Sequence, residues 1–452
     1  VKAPVVLDSP FRLSDDVARG LVATYGTPLY VLSEGAIRAR LRAFAEAARA
    51  AHPNAECSYA SKANSTLAVL AIVQQEGWDV DVASEGELRA AMRAGFSASR
   101  CHLHGNNKSS AELAYAMGVG VGRIILDHFG EIETVTQLRQ ADAVLRGLDA
   151  APESSTRYLL RLAPGVDPVT HFRISTGQAD TKFGFNIADG SAERALLRCI
   201  ELGLPVIGFH CHVGSQLTDP EAQRSGAEIL GQFAIEMRQR HGYRAEVINV
   251  GGGLGVRYTG KDRPVSFAEY CQLVTDALRS QMAGSDLDPT IGHEPGRCIV
   301  AEAGVTLYTV GAIKTVPIGE GQTRTYVCVD GGLADNPRPA LYGSEYTVVA
   351  VAQDSAQHAV EGGGRTCRVS GRHCETDTLF DDVALPGWLR SGDLLQVLCT
   401  GAYNASMASN YNRYPRPATV LLREDGSAVL IQRPETWDEL FAREIVPEEW
   451  LR

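Results

Sequence analysis

The feature that most limits how this chain can fold is an alternation: from about residue 28 to about residue 300, short apolar runs are separated by longer amphipathic stretches. The runs are ECSYA, DVDVA, CHLHG, RIILD, RYLLRL, PVIGFH, EVINV and TIGHE, and the stretches include TLAVLAIVQQEG and EAQRSGAEILGQFAIEMRQRHG. A strand-like run, a helical period and a second run together make a crossover between parallel strands. Eight such units in series predict a (β/α)8 barrel. One segment, DPVTHFRISTGQADTKFGFN, breaks the pattern and reads as a long loop of the kind that closes over ligands.

From about Val305 the pattern changes to VTLYTVGAIKTV, RTYVCVD, EYTVVAVA, TCRVSG, DLLQVLCTGAY, ATVLLRE and AVLIQR, strands with little helix between them. PLYVL precedes the first barrel strand and has no barrel position left, so it is assigned to this all-β half. The expected organisation is an N-terminal segment over 1–30 joining the β domain, a barrel over 31–304 and a C-terminal β domain over 305–452.

Composition narrows the partners. With 452 residues and 44% hydrophobic content the chain can bury a core in each of two domains. Lys+Arg 43 against Asp+Glu 54 gives a net charge of −11, which disfavours nucleic acid and acidic membranes as partners. No apolar run approaches the roughly 20 residues of a membrane span. VKAPVVLDSPFRLSDD lacks a signal-peptide core, and ten cysteines without a CxxC pair read as reduced thiols, so a cytoplasmic location is expected.

The barrel gives the polar motifs a place. Lys62, Asp81, Arg161, His212, Gly251 to Gly253 and Glu294 fall at carboxyl ends of the predicted strands, where such barrels build active sites. The chain's lysines are only Lys2, Lys62, Lys108, Lys182, Lys261 and Lys314, so Lys62 in YASKAN suggests a need for an amine rather than a charge. VINVGGGLGV ends a strand in Gly251, Gly252, Gly253 and Gly255, which suits either a phosphate cradle or a plain tight turn. Val256 takes the place of the last glycine of a dinucleotide fingerprint, and no Walker sequence occurs.

FHCHVGSQ places His210, His212 and Ser215 at another strand end, for stacking on a flat cofactor, for phosphate contact, or as a turn with a buried histidine. No acidic or cysteine partner at zinc spacing accompanies the histidines, so no metal is expected. GHEPGRC sets Glu294 beside Arg297, either a structural ion pair or an acid for a ring nitrogen next to a carboxylate-binding or phosphate-binding fork. An amine, a glycine turn and such an acid together describe pyridoxal phosphate.

The ordered set YASKAN, DVASEGEL, LHGNNKS, FHCHVGSQ, NVGGGLG, HEPGR, DNPRPALYG, RHCETD and GAYNASMASNYN resembles the fold-type III pyridoxal-phosphate amino-acid decarboxylases, from about residue 26 to the end. The resemblance implies an alanine racemase-like barrel with a C-terminal β domain and pyridoxal 5'-phosphate as cofactor. It implies that Lys62 holds the cofactor covalently, that Asp81 belongs to its site, and that His212 stacks on the ring. By the same likeness Ser215, Gly251, Gly252 and Gly253 hold the phosphate and Glu294 pairs with the pyridine nitrogen. Gly296 and Arg297 lie between cofactor and substrate, and Tyr403 lines the cofactor. Arg338 with Tyr342 resembles the pair that holds a distal carboxylate, Glu375 the group for a distal ammonium, and Cys374 a cysteine supplied by the other subunit of a head-to-tail homodimer.

The implied reaction is decarboxylation of a small diamino acid, meso-2,6-diaminopimelate, to L-lysine and CO2. Arg338 with Tyr342 sets this apart from a decarboxylase of lysine, ornithine or a polyamine precursor. Retention of Lys62 and Cys374 sets it apart from a non-catalytic cofactor-binding protein. Cys374 is the candidate proton donor, with Lys62 as its rival. One departure stands out: the family pattern Cys-Glu-Ser-Gly-Asp is replaced here by Cys374, Glu375, Thr376, Asp377 and Thr378, so a changed loop path after the two functional residues is expected.

Overall fold

The computed structural model describes residues 9–145, 155–166, 181–353, 364–376 and 378–451. Most of the expected long loop, 167–180, and Asp377 lie outside the described residues. The chain forms two compact units, one of Arg38–Val256 with Asp262–Ile299, the other of Val1–Ile37, Arg257–Lys261 and Val300–Arg452.

After β1 (Leu29–Ser33), which belongs to the second unit, come β2 (Ala55–Ala60), β3 (Asp79–Val82), β4 (Cys101–Leu103), β5 (Arg123–Leu126) and β6 (Arg157–Ala163). The short β7 (Phe185–Asn186), then β8 (Val206–His210), β9 (Val247–Asn249) and β10 (Thr290–His293), complete the first unit. The order β5, β4, β3, β2, β10, β9, β8, β6 is parallel throughout and is closed by the pairing of β5 with β6, with β7 added alongside β6. All eight runs read from the sequence are barrel strands. Ile125, Leu159, Ile207 and Val247 form a buried apolar cluster on neighbouring strands, and such packing makes the barrel a filled core rather than a pore.

The second unit is a sheet built from β11 (Gly304–Gly319), β12 (Gln322–Val329), β13 (Val348–Val351), β14 (Arg365–Ser370), β15 (Thr378–Leu385), β16 (Leu394–Leu398), β17 (Ala418–Leu422) and β18 (Ala428–Gln432). β1 lies in it, antiparallel to β11 and parallel to β17. The sequence reading missed β15, and the register explains why. Pairing of β14 with β15 shifts twice, and Asp382 has φ +51°, so the period-2 alternation that marks a strand is interrupted.

Candidate active site

Lys62 sits in the 3-10 turn Ser61–Ala63 that continues β2, with its side chain exposed. The turn is held from both sides. Ser61 Oγ donates to Glu87 Oε2 at 2.9 Å, and the same oxygen accepts from the Ala83 amide at 2.7 Å, tying the ends of β2 and β3 together. Opposite, the Ala60 amide donates to the Pro295 carbonyl at 3.2 Å. A Cβ on Gly296 would lie 2.9 Å from Ala60 Cβ, so only glycine lets the segment carrying Glu294 approach this turn so closely.

The glycine turn follows β9. Cβ atoms at Gly251, Gly252 and Gly253 would fall 2.4, 2.2 and 2.3 Å from the carbonyl oxygens of Cys211, Glu294 and Gly214. The bare backbone therefore lets three strand ends converge. The Gly251 amide donates to Asn249 Oδ1 at 2.8 Å, and Asn249 Nδ2 donates to Glu294 Oε1 at 2.8 Å, so the first glycine is tied to the carboxylate. The Gly252 amide points at His212 Nδ1, 3.4 Å away. Arg297 Nη2 donates to Ser215 Oγ at 2.9 Å, bringing two of the predicted residues into contact.

Glu294 is buried, as is Asp81. Its Oε2 lies 2.9 Å from His210 Nε2, and its Oε1 lies 3.3 Å from His104 Nε2. Burial works to raise the Glu294 pKa, but the two histidines overcome it and hold the carboxyl well below its usual range. Burial, with the nearby charges of Lys62 and Arg161, pushes His212 well below the ordinary imidazole range, so its ring is neutral. His104, His210 and Glu294 have the residue types and spacing of a metal site. Asn249 and His210 already bond to the two carboxylate oxygens, which favours a fixed anion over a ligand set.

Sequence reasoning did not single out His104, Asn249 or Glu87. The alternations DVD in β3 and HLH at β4 were the available signal, because parallel neighbours put i and i+2 residues on one face.

In the second unit Arg338 begins the helix Arg338–Tyr342 and is 4% exposed. Its Nε donates to the Tyr346 hydroxyl at 2.9 Å and its Nη2 to Ser344 Oγ at 3.1 Å. The guanidinium lies 5.4, 5.3 and 5.7 Å from the ring centroids of Tyr258, Tyr342 and Tyr403. Cys374 and Glu375 are exposed; the Cys374 amide donates to Asn412 Oδ1 at 2.8 Å, and Glu375 accepts from the Tyr411 hydroxyl.

The residues of the barrel mouth fit pyridoxal phosphate: an exposed amine, a side-chain-free turn, a buried ionised carboxylate, and Asp81 Oδ2 buried without a hydrogen-bond partner among the described residues. A family model described as pyridoxal-dependent decarboxylase, pyridoxal binding domain, matches residues 34–301. The site is thus that of a pyridoxal-phosphate decarboxylase barrel. Diaminopimelate decarboxylase of Bacillus subtilis (strain 168) is 42% identical over 93% of this chain and 92% of its own length, and that of Mycobacterium bovis is 36% identical over 94% and 92%. The crystal structure of diaminopimelate decarboxylase from M. jannaschii in complex with L-lysine superposes with a TM-score of 0.85 at 30% identity, covering 96% of this chain and 95% of that one. The chain belongs to the diaminopimelate decarboxylase family. A lysine/ornithine decarboxylase from Vibrio vulnificus, at 23% identity and TM-score 0.72 over 91% and 98% of the two chains, shares the fold.

Proposed function

We propose that this chain decarboxylates meso-2,6-diaminopimelate, giving L-lysine and CO2. The observation that carries the substrate is Arg338: a buried guanidinium whose hydrogen-bond partners among the described residues are the neutral hydroxyls of Tyr346 and Ser344. A buried charge in that state is costly unless an anion pairs with it. A distal carboxylate supplies that anion; lysine and ornithine have none. The lysine complex of the M. jannaschii relative supports the same product.

When bound, pyridoxal phosphate supplies a conjugated ring that takes up the electron pair left as CO2 departs. Lys62 provides the amine that holds it. Glu294, kept ionised, holds a proton at the ring nitrogen, and neutral His212 offers a flat face for the ring. Ser215 and the Gly251 to Gly253 turn take the phosphate, and Asp81 and Gly296 complete the walls. Arg297 and Tyr403 flank the substrate, Arg338 with Tyr342 binds its distal carboxylate, and Glu375 binds its distal ammonium. Cys374 returns a proton to the carbon that lost the carboxylate.

An exposed proton donor and an exposed ammonium-binding acid work poorly in water, and this supports a homodimer in which Cys374 and Glu375 serve the partner's site. The same unit leaves Trp437, Phe441, Ile445, Trp450 and Leu451 exposed near the C-terminus. The reading also places the enzyme in the cytoplasm, consistent with ten free thiols. CO2 release from meso-diaminopimelate, L-lysine and L-ornithine, assayed in parallel, tests the assignment. Turnover of lysine or ornithine equal to that of diaminopimelate would overturn it.

A further inference from the structure

Acids and bases alternate in a row across four barrel strands, part-exposed at Arg100 and Asp79 where β3 and β4 begin and buried at Asp81 and Glu294. Arg100 Nε donates to Asp79 Oδ1 at 2.8 Å. His102 lies between Asp79 and Asp81, at 3.5 Å from Asp79 Oδ2 and 3.4 Å from Asp81 Oδ1. His104 lies between Asp81 and Glu294, its Nε2 3.7 Å from Asp81 Oδ1 and 3.3 Å from Glu294 Oε1, at ion-pair separations without hydrogen-bond alignment. His210 then closes on the far oxygen of Glu294 at 2.9 Å and meets the His104 ring edge-on, with centroids 5.1 Å apart.

We propose that His104 is a positioning residue for the reaction, the cation that keeps Glu294 an anion and so lets it hold a proton on the cofactor's ring nitrogen. This inference rests on the role of Glu294 given under the proposed function. Its physical basis is the placement of two buried carboxylates, Asp81 and Glu294, in one site. Burial opposes the ionisation of both, and the Glu294 charge adds to the opposition at Asp81. Arg100 and His102 serve Asp79, His102 and His104 serve Asp81, and His104 and His210 meet Glu294. Two histidines touch Glu294, yet their surroundings differ. Burial pushes both rings toward neutrality. His104 faces two carboxylates, which together lift its pKa, whereas His210 faces one carboxylate together with His104 and Arg161, and its pKa falls. The position of His104 between two carboxylates is what assigns it the proton in this proposal, while His210 meets Glu294 alone.

The groups facing Glu294 are His104 and Asp81 from the β4 and β3 side, His210 from β8, Asn249 from β9 and Arg161 from β6. Arg161 is engaged elsewhere, 3.9 Å from Asp127 and stacked over Phe183. It cannot stand in for His104.

The experiment is a pH titration of the cofactor-loaded His104→Gln enzyme, followed by the absorption spectrum of the bound cofactor and by kcat and KM for meso-diaminopimelate. The acid limb of both the spectrum and kcat should move up by about one pH unit or more, roughly tenfold in the acid dissociation constant, with KM changed less. Adding Asp81→Asn to His104→Gln should move the spectral limb back, because it removes the repelling charge; a merely structural role for His104 predicts no such return. An unshifted spectral limb in folded, loaded His104→Gln enzyme overturns the proposal. Should that variant not fold, 15N-histidine NMR of the wild type decides: a His104 ring protonated on both nitrogens at pH 7 supports the proposal, and a neutral ring overturns it. Failure of the wild type to release CO2 from meso-diaminopimelate would defeat the proposed function, while the spectral and NMR readouts would still judge His104.

Discussion

The Arg338 guanidinium donates to the Tyr346 hydroxyl at 2.9 Å, inside a group of tyrosine rings, with no carboxylate beside it among the described residues. Tyr346 thereby fixes the direction of the fork without neutralising its charge. Removing the fork with Arg338→Ala should lower kcat/KM for meso-diaminopimelate by roughly 2 to 5 kcal/mol, the range for loss of one partner of a buried charge pair. Slow turnover of L-lysine should change little. Equal losses on both substrates would show that Arg338 supports the fold rather than the distal carboxylate.

The Lys62 side chain is exposed although Ser61 and Ala63 on either side of it are buried, so it is dispensable for packing. Lys62→Ala should unfold at the wild-type denaturant midpoint while losing turnover. Borohydride treatment of the loaded wild type should attach the cofactor to the peptide containing Lys62. Label recovered on Lys108 instead would refute the assignment, and the structure makes that outcome hard to reach, because Lys108 Nζ is buried against Glu131 at 2.9 Å.

If Cys374 works in the partner's site, mixing Lys62→Ala chains with Cys374→Ala chains should restore part of the activity after subunit exchange. One hybrid site carries both lesions and the other carries neither. Zero recovery, with exchange verified by mass, would mean that each chain completes its own site.

His102 gives a stability prediction with a definite sign. Burial lowers its pKa, but Asp79 and Asp81 overcome this and raise it from 6.5 to about 9. A raised histidine contributes fully below its unfolded value and loses that contribution as pH rises through the folded one. The barrel should therefore lose up to about 3 kcal/mol between pH 6.5 and pH 9.5 from this group. Urea unfolding at the two pH values should show a smaller difference for His102→Asn. An identical difference would remove His102 as the cause.

Sequence alone determined the elements and the chemistry they carry. Apolar runs at strand spacing, separated by helical periods, admit little besides a parallel barrel, because parallel strands need crossovers and crossovers need helices. The same alternation puts Lys62, His212, the Gly251 to Gly253 turn and Glu294 at strand ends. β15 escaped notice since its bulges and the left-handed Asp382 erase the period on which strand reading depends. Tertiary structure decided which charges meet. Asp81, His104, His210 and Glu294 come from four strands spread over more than 200 positions, and their protonation depends on distances of about 3 to 4 Å that no local pattern encodes. Likewise Arg338 was marked in DNPRPALYG by resemblance alone; its burial, with the Tyr346 and Ser344 hydroxyls as its hydrogen-bond partners among the described residues, belongs to the tertiary structure. Periodicity is a property of neighbours in the chain, whereas the electrostatics of a site belongs to neighbours in space.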